Sequence, residues 1–184
     1  MVLVEENYFS EEAQKYYTGS SQIKSFLDCP AKTMAEINGE WKEEPSQSLL
    51  VGSYIDACVT GTLNVFVAKH PEMFKKDGTL KSEYLKAEYA INRIQRDKMF
   101  WKYVNGDHQT IMTAVYNIKE NKWYKEEDKK EISIDDVPIK IKIDSYFPDK
   151  VIVDLKYVKD FNPIWNDKTQ KKENFVDYWK YTLQ

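Results

Sequence analysis

The sequence predicts an α/β protein in which a helical amino-terminal part, about residues 1–105, precedes a sheet-bearing part, about residues 106–184. Three observations predict it. Apolar residues recur at helical spacing as far as about residue 102, the period becomes strand-like from residue 109, and the segment PIKIKIDSYF at 138–147 alternates residue by residue. The expected architecture is a mixed, mostly antiparallel sheet flanked by helices. At 184 residues the length favours a single domain with its own core.

The elements follow in order. Over residues 20–38, Ile23, Phe26, Leu27, Met34 and Ile37 share helical spacing, and Pro30 should kink the helix or restart it, because proline lacks the backbone donor and crowds the preceding turn. Gly39 is a plausible stop, and a second helix is expected over residues 48–60. After turns at His70-Pro71 and Asp77-Gly78, Leu80, Tyr84, Ala87, Ile91 and Ile94 line one long helix ending near Lys102. Strands are expected at 109–118 and 137–146, with the charged run KWYKEEDKKE as a solvated hairpin tip. Alternation at 138–147 puts Ile139, Ile141 and Ile143 on one face and Lys140, Lys142 and Asp144 on the other. Pro148-Asp149 turns the chain into a returning strand at 150–156, and residues 171–184 form a candidate closing helix.

Composition sets the class. With 42% hydrophobic, 14% aromatic and 31% charged residues, the chain has the apolar surface needed to fold. No run approaches the roughly 20 apolar residues of a membrane span, and the opening MVLVEENYFSEE lacks the features of a signal peptide, so a cytoplasmic protein is expected. Cys29 and Cys58 read as reduced, buried small hydrophobes. A net charge of -3 argues mildly against nucleic-acid binding by electrostatics alone, although carboxylates that bind metal contribute to such a charge.

The chemistry concentrates in one hairpin. Asp144 ends one strand, while Asp154 and Lys156 lie two residues apart on the next and so project from the same face. Two carboxylates suit Mg²⁺ or Mn²⁺, which prefer oxygen ligands and keep part of their water shell; an adjacent lysine could orient a water. Carboxylate-x-Lys alone is also common on solvated strand faces.

The arrangement IKID-SYFPDK-VIVDLK resembles the core of the PD-(D/E)xK nucleases, which have a restriction-endonuclease-like fold. Three further segments resemble the RecB-like branch in the same order. SSQIKSFLDCPAK is similar to its opening helix, LLVGSYIDA to its Gly-to-His motif, and YWKYTLQ to its Gln-bearing helix. HPEMFKKDGTLKSEY is similar to a connecting segment of the exodeoxyribonuclease VIII-like nucleases of phages and prophages.

The resemblance implies Asp144 and Asp154 as metal ligands, Lys156 as the catalytic lysine and Gln184 beside the metal and scissile phosphate. Asp56 stands where the family often has His; it is either a substituted oxygen ligand or a group that caps or pairs within its helix. The implied activity is Mg²⁺- or Mn²⁺-dependent exonucleolytic hydrolysis of duplex DNA in phage recombination. A single-strand annealing protein and a homo-oligomer are implied as partners beside DNA. The alternatives are a catalytically silent DNA-binding protein of nuclease fold and a restriction- or repair-type endonuclease. The family motif continues past its Gln with a Tyr four residues on, so the chain is expected to be truncated at its carboxyl end. Cys-Pro at Cys29 resembles the first ligand of cluster-bearing relatives, but the other three cysteines are absent, so no iron-sulfur cluster is expected. His70 and His108 lack metal-ligand spacing and read as surface or structural, and Tyr157, Phe161 and Trp165 are expected to pack under the closing helix.

Overall fold

The computed structural model describes residues 2–158, 160–167 and 169–180, without the side chains of Phe175, Trp179 and Lys180. Seven α-helices precede the first strand's partners: α1 (Glu11–Tyr16), α2 (Ser20–Asp28), α3 (Pro30–Ile37), α4 (Gln47–Val59), α5 (Leu63–Lys69), α6 (Ser82–Arg96) and α7 (Lys98–Val104). The strands are β1 (Asp107–Asn117), β2 (Lys122–Tyr124), β3 (Asp136–Phe147), β4 (Val151–Val153), β5 (Ile164–Asn166) and β6 (Lys171–Glu173), followed by α8 (Phe175–Lys180). The mixed α/β class, helical first and sheet-bearing second, is as expected. One sheet has the order β2-β1-β3-β4 and a second pairs β5 with β6. The β1–β2, β3–β4 and β5–β6 pairs are antiparallel.

The chain forms two compact units. The first comprises Met1–Lys42, Ile111–Ile141 and Val158–Gln184, and the second Glu43–Thr110 and Lys142–Tyr157. In the first unit, Pro30 begins α3 rather than bending a single helix. Cys29 before it is held extended at φ -148° and ψ 96°, the conformation proline imposes on its predecessor. Cys29 is exposed, not buried as expected, because it lies in this junction rather than on an apolar helix face.

The face assignment along β3 is also corrected. Lys140 is buried and Ile141 is 41% exposed, the reverse of the simple alternation. The amino-terminal segment pairs with the edge of β3 here, Thr18 bridging to Ile139, and Tyr8 covers Lys140, whose ammonium donates to the Tyr8 carbonyl at 2.6 Å while lying over the Tyr8 ring. The run KWYKEEDKKE is more than a solvated tip. Its first residues form β2, with Trp123 opposite Tyr116, and Lys129 bonds the buried Asp136 at 2.8 Å. Asp136 also accepts from Asn117 and Ser133, and these donors hold its carboxyl far below the usual range.

Residues 171–184 do not form one closing helix. β6 occupies the first three, because Lys171 and Glu173 continue a two-stranded ladder with Asn166 and Ile164. Nor are the aromatics packed away: Tyr157, Phe161 and Trp165 are 40%, 75% and 50% exposed.

In the second unit the core lies between α4 and α6. Val51, Tyr54 and Ile55 of α4 pack with Tyr84, Ala87 and Ile91 of α6, and Met73 completes the cluster. Tyr54 stacks edge-on to Tyr84 with centroids 5.4 Å apart and donates its hydroxyl to Glu88; burial first, then Glu88, raises the phenol's pKa. The long helix expected to run to Lys102 stops at Arg96. Asp97 adopts an extended conformation and its Oδ1 accepts the Met99 and Phe100 N–H groups, so it caps α7 instead of continuing α6. Among the described residues, no helix is long and apolar enough to cross a membrane.

Candidate active site

The candidate residues that the structure describes belong to the second unit. β3 carries Asp144 near its end, Asp149 in the left-handed region at φ 59° closes the turn, and β4 returns opposite residues 145–147. β4 stops at Val153, earlier than the expected residue 156. The reason is local: the Leu155 N–H turns away from the ladder and donates to the Asp144 carboxylate at 2.8 Å. Asp154 and Lys156 therefore flank the residue that is fastened to Asp144. They meet each other as well, with Nζ 3.0 Å from Asp154 Oδ1 in an exposed pair.

Asp56 reaches the same place from α4. It lines a small cavity with Asp144, Ser145, Val153, Leu155 and His108. Its carboxyl pKa is raised to about 6, first by burial and then by the Asp144 charge, with Lys156 and Lys142 opposing and Asp154 adding a smaller push. This electrostatic environment joins Asp56, Asp144, Asp154 and Lys156, and brings in Lys142, which the motif reading did not single out.

His108, expected to be surface or structural, takes a structural place in the cavity wall. Its Nδ1 lies 3.2 Å from the Asp144 main-chain oxygen. The approach depends on a tight passage into β1. Ser145 Oγ donates to the Tyr103 carbonyl and accepts from the Gly106 N–H, both at 2.8 Å, and Gln109 sits at φ 53°. No spacing rule marks His108, because its contact is with a neighbouring strand. His70, in contrast, pairs with Glu72 at 2.8 Å. Gln184 lies outside the described residues.

Among the described residues, no three His, Cys, Asp or Glu side chains are grouped so as to hold a metal ion by themselves. What the site offers is two carboxylates on one cavity wall, Asp56 being partly buried beside the charge of Asp144. That donor set fits a hard divalent cation that keeps several waters, since such ions are commonly held by one or two carboxylates, and it does not fit a closed cage.

The fold is that of a PDDEXK-like α/β domain. The chain matches the PDDEXK-like domain of unknown function (DUF3799) over residues 19–128 and 118–184, and it belongs to that family. It is also similar to a solved protein from Eubacterium rectale described as a candidate exonuclease, with 37% identity and a TM-score of 0.77 over 98% of this chain. The chain spans 64% of that protein's length. No curated protein matches it.

Proposed function

We propose that this chain is a metal-dependent deoxyribonuclease domain of the exodeoxyribonuclease VIII-like kind, hydrolysing phosphodiester bonds of duplex DNA from an end. The observation that carries the reading is the Asp144–Leu155 bond, which fastens the Asp154-x-Lys156 tripeptide to the strand-end carboxylate, with Asp56 on the same cavity wall. Family membership and the similarity to the Eubacterium rectale protein support it.

Asp144 and Asp154 would hold Mg²⁺ or Mn²⁺, with Asp56 as an additional carboxylate. The cation, when bound, supplies charge that polarises a phosphate oxygen and offsets the negative charge of the transition state. The remaining work falls to the chain. Lys156 would orient the attacking water and hold its developing negative charge beside phosphorus, and Asp144, fixed by Leu155, would keep the site rigid. Gln184 would contact water or phosphate. As the new P–O bond forms, the attacking water gives up a proton to solvent, the ester P–O bond breaks, and the leaving oxygen takes a proton from solvent so that one DNA fragment departs with a hydroxyl. An annealing protein, a homo-oligomeric ring and a role in phage recombination belong to this reading.

The test combines metal binding with product analysis. Calorimetry should show Mg²⁺ or Mn²⁺ binding that Asp154→Asn loses, and end-labelled linear duplex should release mononucleotides. Cleavage of closed circles would replace the exonuclease reading with an endonuclease one. Absence of metal binding and of cleavage would leave a silent nuclease fold.

A further inference from the structure

We infer that the outer surface of α6 and α7 is a contact surface for the phosphate backbone of DNA, built on Arg93, Arg96, Lys98 and Lys102. The inference rests on the nuclease reading and adds to it a place where substrate is held apart from the reacting carboxylates. Arg93 and Arg96 are the only arginines in the chain, and they lie three residues apart, one turn of helix. All four cations are exposed. None forms an ion pair among the described residues.

The acids of the same stretch are engaged elsewhere. Glu83 bonds Ser82, Glu88 accepts from Tyr54, and Asp97 accepts the α7 N–H groups. These acids keep their charge, yet residues 82–104 carry five cations against three acids, a positive balance in a chain whose net charge is -3. Helix electrostatics do not account for the pattern. Cations at the end of α6 suit its dipole, but Lys98 occupies the first position of α7, where the dipole disfavours positive charge.

Apolar and aromatic groups surround the cations. Tyr89, Met99 and Tyr103 are 76%, 71% and 41% exposed. Unpaired guanidinium and ammonium groups beside exposed aromatics match a polyanion with sugar and base surfaces better than a purely acidic peptide. The surface is also firmly placed: the opposite face of α6 packs through Tyr84, Ala87 and Ile91 against α4, the helix that carries Asp56. A held duplex would thus be referred to the candidate site through one helix pair.

The experiment measures binding of a short labelled duplex by fluorescence anisotropy across a salt series, with Ca²⁺ in place of Mg²⁺. It compares the wild-type chain with two double variants, Arg93→Gln/Arg96→Gln and Lys98→Gln/Lys102→Gln, each checked for a native melting transition. Glutamine keeps helix propensity and length while removing the charge. Each double variant should bind several-fold to tenfold more weakly, with the slope of log affinity against log salt reduced by roughly 1 to 2. Wild-type cleavage of DNA with unchanged affinity and slope in both variants would overturn this inference and leave the nuclease reading standing. A wild-type chain that neither binds nor cleaves DNA would overturn both. A change in sedimentation without a change in DNA binding would also overturn the inference, assigning the face to a second copy of the chain.

Discussion

The Asp144 carboxylate accepts the Leu155 N–H at 2.8 Å, and this bond gives one side chain both a structural and a chemical place. Substitutions at Asp144 should separate the two. Asp144→Ala leaves the Leu155 N–H without its acceptor and should cost about 1–2 kcal/mol in denaturant unfolding. Asp144→Asn can keep the acceptor and should unfold close to wild type, yet both variants should lose DNA cleavage.

Lys156→Ala should separate them further. Its pair with Asp154 is exposed, and exposed pairs contribute about 0–1 kcal/mol, so the melting temperature should hardly move. Cleavage should fall by orders of magnitude in a steady-state assay. Equal loss of folding and activity would assign the lysine a structural role.

Asp56 gives a pH signature. Its folded-state pKa, about 6, lies above the ordinary 3.8, so the folded protein takes up this proton more readily than the unfolded chain. The sign follows: the favourable contribution is complete below pH 3.8 and is lost as pH rises through 6. The charged carboxylate then destabilises the fold by up to about 3 kcal/mol. Asp56→Asn should therefore raise the melting temperature at pH 7.5, with the gain fading towards pH 4. Mg²⁺ should stabilise the wild type at pH 7.5 more than it stabilises this variant.

Gly106 is a position of close approach. A Cβ there would come 2.7 Å from the Tyr146 carbonyl and the Phe147 ring and 2.8 Å from Ser145 Oγ. Gly106→Ala should destabilise by about 1–3 kcal/mol in chemical unfolding and displace the segment that leads to His108.

Lys140 is buried with its ammonium held by the Tyr8 carbonyl and ring. Lys140→Ala would open a cavity and leave the Tyr8 carbonyl without its 2.6 Å donor, at a cost of about 2–4 kcal/mol. Lys140→Met, which fills the space without the bond, should cost less. Thermal unfolding of the pair resolves the two contributions.

The sequence by itself determined what depends on neighbours in the chain. The restart at Pro30 follows from a missing N–H and a steric clash, and the 144–156 hairpin from alternation and a Pro-Asp turn. That placed Asp144 near a strand end, whereas Asp154 and Lys156 lie beyond β4, where the Leu155 N–H turns to the Asp144 carboxylate. Even the break at Asp97 rests on a local cap, which the regular apolar spacing across it concealed. Tertiary structure decided the rest. Lys140 is buried because an amino-terminal carbonyl and ring, remote in sequence, cover its face of β3. Asp56 and His108 reach Asp144 through helix packing and strand neighbourhood, and the raised pKa of Asp56 comes from that burial and that charge. Periodicity records which face of an element is apolar; it carries no information about which distant group will lie against it, and the candidate site is made of such meetings.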